Sequence, residues 1–388
     1  MSGSRIYMDW NATAPLSSDA RSACLSALDL IGNPSSVHGE GRAVRTLIEN
    51  ARRDVAGLCG AKAASVIFTS GATEAANLVL TPDFRMGRTP LKIGKLYASA
   101  IEHPAVREGG RFPREALSEI PVTSAGVVDL HALRELLAAH DRALGLPMVA
   151  VMLVNNETGI IQPVAAIAEI VRTVGGILVV DAVQAAGRTP LAIEDLGADF
   201  LILSSHKIGG PKGAGALVAR GEVMMPAPLI RGGGQEKGHR SGTENPVAIA
   251  GFAAAARKVG VDVAARMAPI TALRDSLERE MQAAAADVVI HGRDVSRVGN
   301  TIFFTLPGLK AETGQIAFDL EGVALSAGSA CSSGKVGRSH VLTAMGYDPR
   351  QGALRISIGE TTSEAEIERC AAAFAKVAAR RRMPGQAA

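Results

Sequence analysis

Residues 199–217 read DFLILSSHKIGGPKGAGAL, an apolar run that leads through Ser204 to Lys207 and into a glycine-rich turn. Continuous apolar runs of this kind are typical of strands covered on both faces of a sheet. A lysine at such a strand end can be a surface charge beside a turn. It can also be a Schiff-base lysine, because an amine near apolar walls loses its proton more readily and becomes nucleophilic.

Similar apolar runs lie on both sides of this segment. Strands are predicted at 66–70, 95–100, 149–154, 176–182, 199–205 and 215–219, and helices at 42–58 and 71–80. Strands separated by helices indicate an α/β fold with a mostly parallel sheet. Later in the chain, helices at 262–284 and 363–382 accompany short strands at 288–292, 301–306 and 353–359. We therefore predict a large domain over 21–257 and a smaller α+β domain formed by 1–20 and 258–388.

Composition and charge limit the classes of protein to which this chain can belong. Its 388 residues suffice for two domains, since one hydrophobic core seldom grows past about 250–300 residues. A net charge of +3 is too small to indicate a nucleic-acid partner. No apolar run of about 18 residues and no secretory signal pattern is visible in the sequence. We expect a cytoplasmic protein without a membrane span.

Asp181 ends the apolar part of ILVVDAVQAAG, residues 177–187. A carboxylate there is costly unless a partner pairs with it. Enzymes that use pyridoxal 5'-phosphate (PLP) place a carboxylate against the pyridine nitrogen, which keeps the ring protonated and able to accept electrons. Asp181 precedes Lys207 by 26 residues, so both can reach the carboxyl edge of the sheet, where open α/β folds bind ligands. By itself Asp181 would be read as a helix cap, but beside Lys207 the cofactor role is favoured.

Two further segments point to the same sheet edge. In FTSGATEAANLVL, residues 68–80, a helix begins at Gly71–Thr73 directly after a strand. Free N–H groups and the helix dipole favour a phosphate there, although a helix start without a ligand has the same features. In AIEHPAV, residues 100–106, His103 follows a strand. It can be a structural histidine, or it can stack on a cofactor ring and move protons.

The chain has four cysteines and no C-x-x-C pair, which argues against a zinc knuckle or a thioredoxin-type site. Cys24, Cys59 and Cys370 lie in helical patterns and are predicted to be structural. Cys331 differs, because it lies in ALSAGSACSSGKVGRSH, residues 324–340, where glycine and serine dominate. That composition predicts a loop, and an exposed unpaired thiol in a loop indicates a reactive role.

Ten segments in the same order resemble the class I cysteine desulfurases (the NifS/IscS group) of the aminotransferase class V family. They are MDWNATAPL (8–16), GNPSSVHGEGR (32–42), FTSGATEAAN (68–77), EHPAV (102–106), VNNETGIIQPV (154–164), VVDAVQAAG (179–187), SSHKIGGPKGAG (204–215), RGGGQEKGHRSGTEN (231–245), GSACSSG (328–334) and LRISIG (354–359). The resemblance covers nearly the whole chain. It implies the PLP-dependent transferase fold (aspartate-aminotransferase type I), with a mostly parallel seven-stranded sheet in the large domain plus a smaller α+β domain.

The resemblance assigns the ring of the cofactor to five residues. Lys207 would bind PLP covalently, His103 would stack over its ring, and Asp181 would meet the pyridine nitrogen. Asn156 and Gln184 would contact the ring and its phenolic oxygen.

The phosphate of the cofactor is assigned to a second set. Ala72, Thr73, Ser204 and His206 would hold it, and Thr243 would reach the phosphate of a neighbouring subunit, which implies a homodimer. One departure is Ser205, where the family often has glycine. We expect this change to be tolerated, since Ser204, His206 and Lys207 are kept.

The remaining roles concern the substrate, L-cysteine, and its sulfur. Arg355 would pair with the substrate carboxylate beside Asn156, a task suited to a guanidinium. Lys207 would remove the Cα proton, and His103 would carry protons for the substrate thiol. Cys331 would attack the substrate sulfur and hold it as a persulfide. The sulfur acceptor implied is an iron–sulfur scaffold or another protein, and Cys331 is the one candidate for a transient iron–sulfur contact.

Two other classes of function remain open at this level. Another PLP enzyme of the same fold, such as a selenocysteine lyase or an aminotransferase, would keep Lys207 and Asp181 unchanged. Cys331 argues against an aminotransferase, which has no use for it. A non-catalytic partner protein with this fold would be expected to lack the lysine, the aspartate or the cysteine, and all of these are present.

Overall fold

The computed structural model describes residues 5–328, 338–348 and 352–381. Its strands are β1 (Ile6–Tyr7), β2 (Val66–Thr69), β3 (Asp83–Met86), β4 (Thr89–Ser99), β5 (Leu117–Ile120), β6 (Leu146–Met152), β7 (Ile177–Asp181), β8 (Phe200–Ser204), β9 (Gly215–Ala219), β10 (Met224–Pro226), β11 (Val289–Ile290), β12 (Thr301–Thr305), β13 (Val323–Ala324), β14 (Ser326–Ala327) and β15 (Ala353–Ser357).

Helices surround these strands. They are α1 (Ser18–Leu28), α2 (Gly39–Leu58), α3 (Ala72–Val79), α4 (Pro104–Arg107), α5 (Leu130–Ala138), α6 (Val164–Thr173), α7 (Ile193–Leu196), α8 (Pro246–Gly260), α9 (Val263–Ala284), α10 (Ala311–Leu320), α11 (His340–Ala344) and α12 (Glu364–Arg380). Short 3₁₀ turns lie at Ala63–Ser65, Arg114–Ala116, Arg142–Leu144, Ser205–Lys207 and Glu236–Gly238.

The central sheet has the order β10-β3-β4-β6-β7-β8-β9-β2, with β5 paired to β4. The pairs β4–β5, β4–β6, β6–β7 and β7–β8 are parallel, whereas β8–β9 and β9–β2 are antiparallel. β2 and β4–β9 form the predicted mostly parallel sheet of seven strands. β3 and β10 extend it through antiparallel pairs that the sequence patterns did not predict.

The apolar strand runs are buried for the expected reason. Every residue of β7, β8 and β9 is buried, because helices cover both faces of this part of the sheet. The parallel strands β4, β6, β7 and β8 all run in one direction. Their carboxyl ends therefore bring residues that follow them to one edge of the sheet.

A second hydrophobic core surrounds the four-stranded sheet β11-β12-β15-β14. Helices α9, α10 and α12 contribute to it, as do Ile6 and Met8 from the beginning of the chain. The predicted domain boundaries stay a prediction. One detail differs from them, since α8 continues to Gly260 and Val259 packs in the core of the large sheet, beyond residue 257.

The three cysteines predicted to be structural lie in helical surroundings. Cys370 packs with Ile367 and Phe374 in the second core, and Cys59 caps α2 in the first. Burial raises the pKa of both thiols to about 12, which keeps them protonated. Cys24 is half-buried against Gly251 of α8.

Candidate active site

A cavity of about 630 Å³ lies at the carboxyl edge of the central sheet, within the usual size of small-molecule sites. Most of the residues predicted to bind a cofactor line it together. These are Ala72, Thr73, His103, Asn156, Asp181, Gln184, Ser204, His206 and Lys207. They come from five separate stretches of chain, so the fold gathers them at one place.

Lys207 lies in the 3₁₀ turn that follows β8, with its side chain on the cavity wall. Its Nζ donates hydrogen bonds to the carbonyl oxygens of Asn11 at 2.6 Å and Ala12 at 2.7 Å. These two carbonyls hold the amine in a defined position. Sequence reasoning missed them, because the segment around Asn11 lies almost 200 residues away in the chain.

Asp181 ends β7 with its carboxylate on the cavity wall. Its Oδ1 accepts a hydrogen bond from Val183 N at 2.9 Å, and no basic side chain among the described residues forms an ion pair with it. Burial raises the pKa of Asp181, against the opposing effects of that hydrogen bond and of His103 and Lys207. Such a carboxylate is suited to a cationic ligand group.

His103 is the N-cap residue of α4, and its Nδ1 accepts a hydrogen bond from Ala105 N at 3.1 Å. This contact leaves the proton of the neutral ring on Nε2. Burial lowers the pKa of His103, and Lys207 acts in the same direction, whereas Asp181 opposes it. His103 is therefore a mainly neutral imidazole on the cavity wall with a defined tautomer.

Glu102 is a buried acid that the sequence patterns did not single out. Its Oε1 accepts a hydrogen bond from Met152 N at 2.7 Å, and its Oε2 is buried without a partner among the described residues. Burial, reinforced by Asp181, raises the pKa of Glu102 well above its usual value. Burial and the neighbouring Asp181 thus both disfavour the charged form of Glu102.

The start of α3 faces the cavity as predicted. Gly71 is its N-cap residue and no side chain caps the helix, so its first N–H groups can bind an anion. A Cβ at Gly215 of β9 would lie 2.6 Å from the backbone of Gly71, so glycine is required there. The neighbouring Ser204 and His206 complete this end of the cavity.

His206 and Ser205 have different surroundings although they are consecutive. Burial lowers the pKa of His206 to about 4, and its Nδ1 contacts Thr13 Oγ1 at 3.1 Å. The Ser205 hydroxyl lies against Gly210, where a Cβ would approach it to 2.2 Å, and Ser205 does not line the cavity. The departure from the family pattern at Ser205 thus leaves the wall of the cavity unchanged.

Arg188 orients Gln184, a relationship that sequence reasoning missed. It donates to the Oε1 of Gln184 and, at 2.9 Å, to the Gln184 carbonyl oxygen. Because a guanidinium only donates, the amide oxygen of Gln184 must face Arg188. The Gln184 Nε2 donates instead to Asn11 O at 3.0 Å, so its NH₂ group lies on the side of Lys207.

Arg355 lies beside Asn156 but is not part of the cavity wall. Its side chain is 1% exposed, and it donates to Asn156 O and to Asp9 Oδ1, both at 2.8 Å. The Oδ1 of Asn156 is buried without a hydrogen-bond partner among the described residues. Arg355 and Asn156, the two residues predicted to bind the substrate, are therefore adjacent. The carboxylate that Arg355 binds in this structure is that of Asp9.

Two predicted site residues of the described chain, Arg355 and Thr243, do not line the cavity. Thr243 is exposed in a loop and is not among the residues of its own chain that form the wall. Cys331 lies outside the described residues. Within the described part of the chain, no group of three or more histidine, cysteine, aspartate or glutamate side chains could hold a metal ion. No helix there is long and apolar enough to cross a membrane.

The arrangement fits PLP on observations of the structure itself. An amine, a buried carboxylate, a neutral imidazole and an uncapped helix start surround one cavity. The unpartnered Oδ1 of Asn156 offers a further polar contact to a ligand. The amine matches the aldehyde of the cofactor, the carboxylate its pyridine nitrogen, the imidazole its aromatic ring and the helix start its phosphate. The Asn156 amide remains for a substituent of the ring or for the substrate.

Comparisons with known proteins agree with this geometry. The family model "Aminotransferase class-V" matches residues 6–370. The chain is 38% identical to a cysteine desulfurase of Cereibacter sphaeroides, covering 94% of this chain and 93% of the relative. It is 36% identical to cysteine desulfurase IscS of Dictyoglomus turgidum, covering 93% and 91%. A NifS-like protein from Rickettsia africae superimposes with a TM-score of 0.85 at 33% identity, covering 96% of this chain and 99% of that structure.

Proposed function

This chain belongs to the class-V aminotransferase family, among its cysteine desulfurases, and we propose that it moves the sulfur of L-cysteine to Cys331 and releases L-alanine. The observation that carries this proposal is the convergence of Lys207, Asp181 and His103 on one cavity. The match in sequence with cysteine desulfurases over more than nine-tenths of the chain supports it.

The chain's own groups have distinct tasks toward the cofactor. The start of α3, with Ser204 and His206, would hold the phosphate. Asp181 would pair with a protonated pyridine nitrogen, which would offset the cost of burying its carboxylate. Gln184, oriented by Arg188, would donate its NH₂ group toward the phenolic oxygen. When bound, PLP supplies an electron sink that accepts the electrons released at Cα.

Lys207 and His103 would move the protons. Lys207 Nζ is the base for the Cα proton of the substrate, and the carbonyls of Asn11 and Ala12 define its resting position. His103 carries its proton on Nε2 and would exchange it with the substrate thiol. Asn156 at the cavity wall would hold the substrate carboxylate, together with Arg355 once the substrate replaces Asp9 as its partner, and this would orient Cα and Cβ.

The sulfur step balances without an external oxidant or reductant. The Cys331 thiolate attacks the substrate sulfur, so that an S–S bond forms while the Cβ–S bond breaks. The electron pair of the broken bond stays with Cβ, which takes up a proton to give alanine. The sulfur atom remains on Cys331 as the outer sulfur of a persulfide. A further thiol or an iron–sulfur scaffold would then accept this sulfur atom.

Purified protein tests the proposal directly. It should carry a visible PLP absorbance band and form alanine from L-cysteine, with sulfide appearing in equal amount when a thiol reductant is present. Selenocysteine would serve as the comparison substrate, since a selenocysteine lyase would prefer it strongly. Absence of the absorbance band, or transamination without loss of sulfur, would contradict the proposal.

A homodimer with shared sites forms part of the proposal. Thr243 is exposed in a loop that the buried Arg52–Glu236 ion pair, at 2.7 Å, fastens to the large core, and it does not line the cavity of its own chain. The stretch 25–37 exposes the apolar side chains of Leu28, Ile31 and Val37. Exposed apolar side chains so close together in sequence are what a surface covered by a second copy would offer.

Mixed dimers would test where Thr243 acts. Thr243→Ala is expected to weaken PLP binding roughly tenfold, because a phosphate contact is worth about 1–3 kcal/mol. If Thr243 serves the partner, a dimer of one Thr243→Ala chain and one Lys207→Ala chain retains one complete site. That dimer should bind PLP at its intact Lys207 with normal affinity. Weak binding at that site would show that Thr243 acts within its own chain.

A further inference from the structure

The two chain ends that flank residues 329–337 meet at the side chain of Glu157. On one side, Ser339 Oγ donates a hydrogen bond of 2.5 Å to Glu157 Oε2, and both residues are buried. On the other side, a Cβ built on Gly328 would lie 3.0 Å from the same Oε2 and 2.6 Å from the Phe303 ring. The chain therefore leaves and re-enters the described fold beside one carboxylate.

Ser339 has a second task that makes this contact specific. Its Oγ accepts a hydrogen bond from Leu342 N at 3.1 Å, so it is the N-cap residue of α11. The next residue, His340, donates from Nε2 to Glu102 O at 2.9 Å. The beginning of α11 is thus bound both to Glu157 and to the residue preceding His103.

Glu157 is itself held in place. Its N–H and that of Thr158 donate to Asn155 Oδ1 at 3.0 and 2.9 Å, and Asn155 Nδ2 donates to Ile101 O at 3.1 Å. The preceding residue, Asn156, lines the cavity and accepts the hydrogen bond from Arg355. The Glu157 carboxylate is therefore fixed relative to the candidate substrate contacts.

We propose that Glu157 is a positioning residue for sulfur transfer, which binds Ser339 close to Gly328 and so fixes the described chain on both sides of the stretch that contains Cys331. This inference rests on the proposed function, in which Cys331 receives the sulfur. Cys331 follows Gly328 by three residues, and three residues of chain span at most about 10 Å. A misplacement of a reacting group by 1 Å can cost on the order of 100-fold in rate.

Variants at the contact separate this role from the chemistry at Lys207. Ser339→Ala and Glu157→Ala should each slow alanine and persulfide formation by about tenfold or more. Exchange of the substrate Cα proton for deuterium depends on Lys207 and not on Cys331, so its rate should change by less than about twofold. Ser339→Thr and Glu157→Gln keep a hydroxyl donor and a carbonyl acceptor, and they should restore most of the transfer rate.

A matched control removes a helix cap without touching the site. Ser363 caps α12 as Ser339 caps α11, and it lies on the exposed side of the second core. Ser363→Ala should lower the unfolding temperature, because α12 loses its N-cap, and leave sulfur transfer unchanged.

The outcomes distinguish this inference from the function on which it rests. Normal transfer rates in Ser339→Ala and Glu157→Ala would overturn the positioning role, and so would an equal loss of deuterium exchange and transfer. Either result leaves the proposed function intact as long as Cys331→Ser is inactive. Full activity of Cys331→Ser would instead overturn the proposed function.

Discussion

Replacing Lys207 with alanine should abolish alanine formation from L-cysteine, with a loss of at least about 10⁴-fold, because one change removes both the covalent attachment and the general base. The Nζ of Lys207 is held by the Asn11 and Ala12 carbonyls at the cavity wall. Among the described residues that line the cavity, Lys212 is the other lysine. It follows Lys207 by five residues and is exposed, so it does not reproduce the position of the missing amine.

Lys207→Arg provides the control for charge. An arginine keeps the positive charge near the two carbonyls, but its guanidinium does not form a Schiff base and does not give up its proton. We expect this variant to be as inactive as Lys207→Ala and to fold normally by circular dichroism. Measurable turnover in either variant would sink the assignment of Lys207, whereas activity in Lys207→Arg alone would mean that charge is what the site needs.

Replacing Cys331 with serine should leave the PLP absorbance unchanged and lower the rate of alanine formation by at least about 10³-fold. A hydroxyl is far less nucleophilic than a thiolate, and in this variant nothing accepts the substrate sulfur. Exchange of the substrate Cα proton should persist, since it needs Lys207 and not Cys331. Mass spectrometry of the wild-type protein after one turnover should find one extra sulfur atom on the peptide that contains Cys331.

The other cysteines serve as controls for this result. Burial raises the pKa of Cys59 and Cys370 to about 12, and it raises the pKa of Cys24 as well. These thiols are therefore poor nucleophiles at neutral pH. Cys24→Ser should keep normal transfer, and the wild-type protein should gain no sulfur on the peptides that contain Cys59 or Cys370. A persulfide on Cys24, Cys59 or Cys370 would contradict the prediction that Cys331 is the sulfur acceptor.

Most of the candidate site could be predicted because its residues lie next to strong local patterns. The apolar run of β8 ends at Lys207, that of β7 ends at Asp181, and the start of α3 follows β2. Strand period, apolar length and glycine position are properties of a few consecutive residues. These local patterns do not depend on how the rest of the chain folds. Parallel pairing then brings the carboxyl ends of the strands to one edge of the sheet.

Other parts of the site had no local signal. Asn11 acts through its backbone, since its carbonyl oxygen accepts hydrogen bonds from both Lys207 and Gln184. Arg355 was expected to be available for a substrate carboxylate, and the fold pairs it with Asp9. Each of these contacts joins residues separated by more than 170 positions, a relationship that no window of sequence contains.

The sequence by itself determined the α/β fold class, and it singled out the lysine, aspartate and histidine that line the cavity and one cysteine apart from those predicted to be structural. Those features depend on hydrophobic period, on the chemistry of individual side chains and on the order of short segments along the chain. Only the tertiary structure decided that the Lys207 amine is held by the carbonyls of residues 11 and 12, and that Glu157 meets both Gly328 and Ser339. Such contacts arise because packing selects the partner of each buried polar group, and that partner comes from whichever distant segment the fold brings near.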